Sequence, residues 1–174
     1  MEMTELSIAG ARLIELKRFD DSRGSFCEAF RASWLANPNP WAQWNVSRSN
    51  QGVLRGLHIH QRQTDYWHIV QGNVTAALVD GRPESTTYRK AITVPLAADR
   101  AQALVIPTGI FHGFYADSEV ILMYLLDQEY DPTDEHGVRW DDGDLGLPAE
   151  WYAKCSPVLS PRDAGAPLLR EIKL

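Results

Sequence analysis

The 174-residue chain carries a formal net charge of −6, with 17 Lys and Arg against 23 Asp and Glu. Its 44% hydrophobic and 10% aromatic content is that of a single folded domain, 1–174, able to bury its own core. The acidic balance excludes the cationic footprint that holds nucleic acid, while a few local arginines still suffice for a small anion. No run approaches the roughly 18 apolar residues of a membrane span. The N-terminus lacks the basic and apolar regions of a secretion signal. Cys27 and Cys155 fit no metal or redox spacing. The expectation is a cytoplasmic protein with reduced thiols and neither a nucleic-acid nor a membrane partner.

Short β-rich runs dominate the chain in order. Residues 11–16 read as a first strand, and 20–24 as a turn with Gly24 at positive φ. Residues 25–30 read as a strand or the approach to a helix. One helical turn is expected over 31–35, stopped by the Asn- and Pro-rich stretch 37–40. Strands follow at 44–50, 53–60 and 65–71. Gly72 and Asn73 turn the chain into a strand at 74–80, and 81–85 is a loop. The β-branched run 86–95 reads as another strand, and 103–106, 113–116 and 120–126 complete the series. The segment 131–147 is acidic and turn-rich. Its carboxylates at 131–135 and 141–144 read as solvated turns. A short helix is expected over 148–154, and 156–174 has loop composition. Many short strands punctuated by Gly and Pro predict an all-β sandwich or barrel with short peripheral helices.

The chemistry concentrates in 52–72, GVLRGLHIHQRQTDYWHIVQG, which holds three of the five histidines. His58 and His60, two apart, share one face of a strand. Arg55 falls with Leu57 on the other face unless a bulge intervenes. A histidine beside a carboxylate is the usual general base near neutral pH, but the chain offers several carboxylates. A metal is the alternative. His58-x-His60, Asp65 and Gly72, followed by Pro107-x-Gly109-x-x-His112, resemble the two metal motifs of the cupin superfamily. The ligand set would be His58, His60, Asp65 and His112, suited to Fe, Mn, Ni or Zn. Trp41, Trp44, Trp67, Trp140 and Trp151 read mostly as core or interface.

A wider resemblance covers nearly the whole chain. Asp20-Asp-Ser-Arg23-Gly24-Ser-Phe26-x-Glu28 is similar to the N-terminal motif of dTDP-4-dehydrorhamnose 3,5-epimerases. So is Asn45-x-Ser47-x-Ser49-x-x-Gly52-Val-Leu-Arg55-Gly-Leu-His58. Pro107-x-Gly109-x-x-His112-Gly-Phe114, Tyr130-x-Pro132-x-x-Glu135, Trp140-Asp-Asp142 and Leu159-Ser160-x-x-Asp163-Ala164 follow in the family's order. The resemblance implies a cupin jelly roll, homodimeric by strand exchange and working without a cofactor. It implies a dTDP-4-keto-6-deoxyhexose substrate, inverted at C3, C5 or both by removal and return of a proton next to the C4 ketone. His58 would be the base, oriented by Asp163, and Tyr130 the acid, with Tyr124 its rival. Arg23, Phe26, Glu28, Gln43, Asn45, Arg55 and His112 would line the substrate pocket. The chain departs from the family at Asp65, where a lysine is expected, and at His60. A carboxylate opposes the negative charge that builds on O4, so Arg62, His60, His68 or a metal must answer it. A metal-dependent isomerase or oxygenase and a non-catalytic sugar-nucleotide binder are the alternatives.

Overall fold

The computed structural model describes residues 1–35, 40–154 and 156–172. Among them, thirteen strands run in chain order: β1 (Glu2–Glu5), β2 (Arg12–Glu15), β3 (Arg18–Asp21), β4 (Gly24–Cys27), β5 (Gln43–Ser49), β6 (Leu54–His60), β7 (Asp65–Gln71), β8 (Asn73–Asp80), β9 (Ala91–Ala97), β10 (Gln102–Ile106), β11 (Ile110–Ala116), β12 (Val120–Leu126) and β13 (Glu135–Gly137). Two short helices, α1 (Ala149–Tyr152) and α2 (Pro161–Ala164), follow. A larger sheet runs β1-β2-β10-β7-β12-β5, and a smaller one β13-β6-β11-β8-β9. The named strands of both pair antiparallel, and β3–β4 forms a separate hairpin. Consecutive strands β6 and β7, and then β7 and β8, change sheets, as a jelly roll requires.

The two inner faces close on Trp67, Ile69, Val74, Leu78, Leu104 and Phe114. Outside the larger sheet, Tyr66, Ile14 and Val105 pack against Phe30 and Trp41. Outside the smaller sheet, Leu57, Ile59 and Phe111 are covered by Trp151 and the C-terminal segment. Strand β5, at the edge, alternates cleanly. Gln43, Asn45 and Ser47 turn inward, and Trp44, Val46 and Arg48 face out.

The β6–β11 pairing contains a bulge that decides the site. His58 pairs with His112 but Arg55 pairs with Phe114, so β6 spends three residues where β11 spends two. Gly56 sits at φ 114°, and a Cβ there would lie 2.8 Å from Cα of Gly113 and from the carbonyl of His112. A Cβ on Gly113 would lie 2.5 Å from the carbonyl of Arg55. Only glycine fits either position. The bulge turns Arg55 onto the cavity face with His58 and His60, and sends Leu54 and Leu57 together into the outer core. The expected sharing of a face by Arg55 and Leu57 is overturned for that reason.

Other expectations change at the margins. β1, β3 and β13 are additional strands, β3 pairing with β4 so that the expected turn over 20–24 narrows to residues 22–23, and α2 lies within the stretch of loop composition. Residues 86–90 are turn rather than strand. The Ser85 and Thr87 hydroxyls donate to the buried Asp80 carboxylate, which curls the chain, and the strand starts only at Ala91. It then runs through Pro95, which is tolerated because β9 is an edge strand. Arg31–Leu35 contains the expected turn, as a 3-10 helix over Ala32–Trp34. Its expected stop lies, Pro40 excepted, outside the described residues, as does Cys155; Cys27 is a free, half-buried thiol. Among the described residues, no helix is long and apolar enough to cross a membrane.

Candidate active site

Between the sheets lies a cavity of about 470 Å³. Strands β5, β7 and β12 supply one wall, β6, β11 and β13 the other, and the segment around α2 closes part of the rim. Alternation along each strand aims the polar residues inward: Gln43 and Asn45, Asp65 and Trp67, His58 and His60.

At the rim a chain of polar groups surrounds His58, joined by hydrogen bonds and one charge contact at 3.5 Å. Its Nε2 donates to Oδ1 of Asp163 over 2.7 Å. Ser160 caps α2 by accepting from the Asp163 amide, which fixes that carboxylate at the helix start. The other carboxylate oxygen accepts from the Gly56 amide at 3.5 Å, the donor that the bulge releases. Burial pushes the Asp163 carboxyl up, but the hydrogen bonds from His58, Ser160 and Gly56 and the His58 charge bring it net below its ordinary value. With Nε2 carrying the proton, Nδ1 is the bare nitrogen, and it faces Oε1 of Glu135 at 3.5 Å. Oε2 of Glu135 accepts from the Tyr130 hydroxyl at 2.9 Å and pairs with Arg162 at 2.8 Å. Burial raises Glu135, yet Arg162, His58 and Tyr130 together hold it below the usual range. The hydrogen bond to Glu135 pushes the Tyr130 phenol up, so it stays protonated as a donor.

Deeper in, β7 and β11 bring a second group together. Asp65 accepts from Gln63 Nε2 at 2.7 Å and from Trp67 Nε1 at 3.0 Å. His112 Nε2 faces Oδ2 of Asp65 at 3.8 Å, while its Nδ1 bonds the Ile110 carbonyl at 2.9 Å. Burial drives His112 down to about 4, so it is neutral at pH 7. The ring of His60 lies beside it, with centroids 5.4 Å apart.

Seven of the ten residues expected in catalysis or substrate binding line this one cavity: His58, Asp163, Tyr130, Gln43, Asn45, Arg55 and His112. Gln43 accepts from the Tyr130 amide at 2.8 Å and donates to Asn45 at 3.0 Å. Arg55 is held by the Ser49 hydroxyl and the Arg48 carbonyl, each at 3.0 Å. The other three do not line it. Arg23 pairs with Asp21 on the exposed β3–β4 hairpin, Phe26 is 66% exposed there, and Glu28 pairs with Arg31 just beyond. Of the four candidate metal ligands, His60, Asp65 and His112 converge, whereas Asp163 engages His58. Tyr124 also reaches the cavity, from β12, but β12 ends at Leu126 and Tyr130 lies in the loop beyond.

Glu135 and Arg162 are site residues that the sequence reading passed over. Glu135 was expected in a solvated turn; pairing of β13 with β6 buries it instead, its side chain 10% exposed. Asp142 is likewise buried, accepting from the Asp144 and Leu169 amides. The useful signal for Glu135 was its place in the Tyr-x-Pro-x-x-Glu run.

The family model described as dTDP-4-dehydrorhamnose 3,5-epimerase matches residues 5–171. The chain belongs to this epimerase family. A dTDP-4-dehydrorhamnose 3,5-epimerase of Salmonella typhimurium is 33% identical, covering 100% of this chain and 98% of that relative. A crystal structure of the Legionella pneumophila 3,5-epimerase in complex with dTDP-4-keto-L-rhamnose superposes with a TM-score of 0.91 at 32% identity, covering 99% of this chain and 94% of that one. A 3'-monoepimerase of Streptomyces bikiniensis in complex with dTDP-quinovose gives 0.87 at 35% identity, covering 95% and 86%. The jelly roll expected of an epimerase is the fold observed, and its relatives are isomerases.

The depressed Asp163 carboxyl carries a pH signature. Such a group adds stability in full above its unfolded value near 3.8, and loses it as pH falls through its lower folded value. Thermal unfolding of Asp163→Asn is therefore expected to show a stability deficit at pH 7 that shrinks below about pH 4. A deficit unchanged from pH 7 to pH 3 contradicts the assignment.

Proposed function

We propose that this epimerase inverts C3, C5 or both of a dTDP-4-keto-6-deoxyhexose, with His58 as the base and Tyr130 as the acid. The observation that carries the reading is the Asp163–His58–Glu135–Tyr130 chain at the cavity rim. The C4 ketone acidifies the neighbouring C–H. His58 Nδ1 takes that proton, and the imidazolium is stabilised by Asp163 through Nε2–H. Tyr130 returns a proton to the other face of the enolate carbon and becomes a phenolate. Glu135 touches both partners, one oxygen on each, and is placed to pass the imidazolium proton back to the phenolate. Arg162 keeps Glu135 anionic between turnovers.

Gln43, Asn45, Arg55 and His112 are assigned to the substrate. Arg23, Phe26 and Glu28 fit the same role only from a neighbouring chain, since their hairpin stands off their own cavity. Exposed apolar side chains support a homodimer built by strand exchange: Phe26 at 66%, and Trp44 and Val46 at 64% each on the outer face of β5. Light scattering should give twice the chain mass; a monomer under assay conditions removes the hairpin residues from the reading.

The direct test is proton exchange. The chain is incubated with dTDP-4-keto-6-deoxyglucose in D₂O and the sugar is read by proton NMR. Deuterium is expected at C3, C5 or both, and His58→Asn should slow its entry by roughly 100-fold or more. Failure of the unmodified protein to label either carbon would contradict the proposal.

A further inference from the structure

The group formed by His60, Asp65 and His112 is unlike the rim. One ligand atom from each lies within 4.8 Å of the others, and all three residues are buried. The His112 Nδ1–H is committed to the Ile110 carbonyl, so in the neutral ring Nε2 carries a lone pair. That lone pair points at a carboxylate oxygen 3.8 Å away. Two acceptors thus face one another; Trp67 Nε1 donates to this same Asp65 oxygen, but no group among the described residues donates to His112 Nε2. Neither ring nitrogen of His60 has a hydrogen-bond partner among the described residues, although the residue is only 7% exposed. No Lys or Arg among the described residues pairs with Asp65, which is 3% exposed and receives only the neutral donors Gln63 and Trp67.

We infer that His60, Asp65 and His112 bind one divalent transition-metal ion inside the substrate cavity. Two imidazoles and one carboxylate suit Zn, Fe or Mn, and three protein ligands leave positions open on the cavity side. Ligands roughly 2.0–2.2 Å from a metal sit about 3 Å apart, so atoms that lie within 4.8 Å of one another need close by less than about 2 Å. The supports are those of a metal site. A ligating histidine commonly gives its second N–H to a backbone carbonyl, as His112 does to Ile110, and ligating carboxylates are themselves hydrogen-bonded, as Asp65 is by Gln63 and Trp67. A water molecule leaves the buried carboxylate of Asp65 without a cationic partner, whereas a cation answers the carboxylate and takes a lone pair from each ring.

The role of the ion rests on the epimerase reading above. His58 and His60 lie two apart on the same face of β6, roughly 6–7 Å along the strand. A sugar whose C–H faces His58 can thus lay its O4 toward the ion. The ion then takes the negative charge that the ketone oxygen gains when the C–H bond breaks, acting as a Lewis acid. No electron is transferred, and the proton goes to His58 and is returned.

Two readouts keep the site and its role apart. The first uses the chain alone, stripped with chelator and titrated with Co(II). A visible absorption band saturating near one equivalent per chain is expected. Asp65→Asn and His60→Asn, checked for folding by circular dichroism, should weaken binding by at least about 100-fold, while His58→Asn retains it. No band, or equal binding by the Asp65 and His60 variants, overturns the site. The second readout compares deuterium exchange in stripped and Zn(II)-reloaded protein. Exchange is expected to fall about tenfold or more on stripping and to recover on reloading. Undiminished exchange by the stripped protein overturns the role. Absence of exchange in both states, with Co(II) bound, defeats the epimerase reading and the role while the metal site stands.

Discussion

One carboxylate ties this site to its scaffold. Asp163 enters from the C-terminal segment, presented by the first turn of a four-residue helix, and makes two contacts on the barrel. One oxygen holds the ring of His58 and the other receives the Gly56 amide. The second contact exists because β6 bulges, and the bulge exists because Gly56 and Gly113 allow the backbones to approach. A bulge leaves backbone donors unpaired, and an unpaired buried donor is costly. The residue that holds the His58 ring therefore also satisfies the defect that brings Arg55 beside it. The scaffold and the placing of Arg55 and His58 on the cavity thus depend on Gly56 of β6 and Gly113 of β11.

The cavity is divided by depth. Its rim holds titratable groups: an imidazole between two anionic carboxylates and a phenol kept protonated by its hydrogen bond. Its interior holds a neutral imidazole, a second with no ring-nitrogen hydrogen bond among the described residues, and a carboxylate supported by neutral donors. Proton abstraction next to a ketone needs both ends. The base alone cannot lower the barrier unless something accepts the charge arriving at oxygen. In a chain with Asp65 at that depth, a cation is the physical answer that also relieves the interior's own electrostatic imbalance.

Much of this was legible in the residues. The alternation of β5, with Gln43, Asn45 and Ser47 against Trp44, Val46 and Arg48, is a strand signature, and Gln43 and Asn45, which the family resemblance assigned to the pocket, line the cavity. The i, i+2 spacing of His58 and His60 put both on the cavity face. Arg55 was the harder case, because period-2 reasoning fails across a bulge and only the register shift resolves it. The 86–95 run misled because β-branched Thr87 serves Asp80 with its hydroxyl rather than a sheet with its backbone. Glu135 was missed because a three-residue strand is too short to show a period, and burial there comes from pairing with β6. Arg23, Phe26 and Glu28 do not line their own chain's cavity, and a place for them at substrate belongs to the proposed dimer.

The central claim is that His58 is held by Asp163 through Nε2 and meets substrate with Nδ1. Long-range proton–nitrogen NMR on protein labelled at the histidine ring nitrogens reads this directly. With the neutral ring, the account predicts a protonated Nε2, a downfield proton lost in Asp163→Asn, and an unprotonated Nδ1. A neutral ring protonated at Nδ1, or an Nε2 proton unchanged in Asp163→Asn, would contradict it.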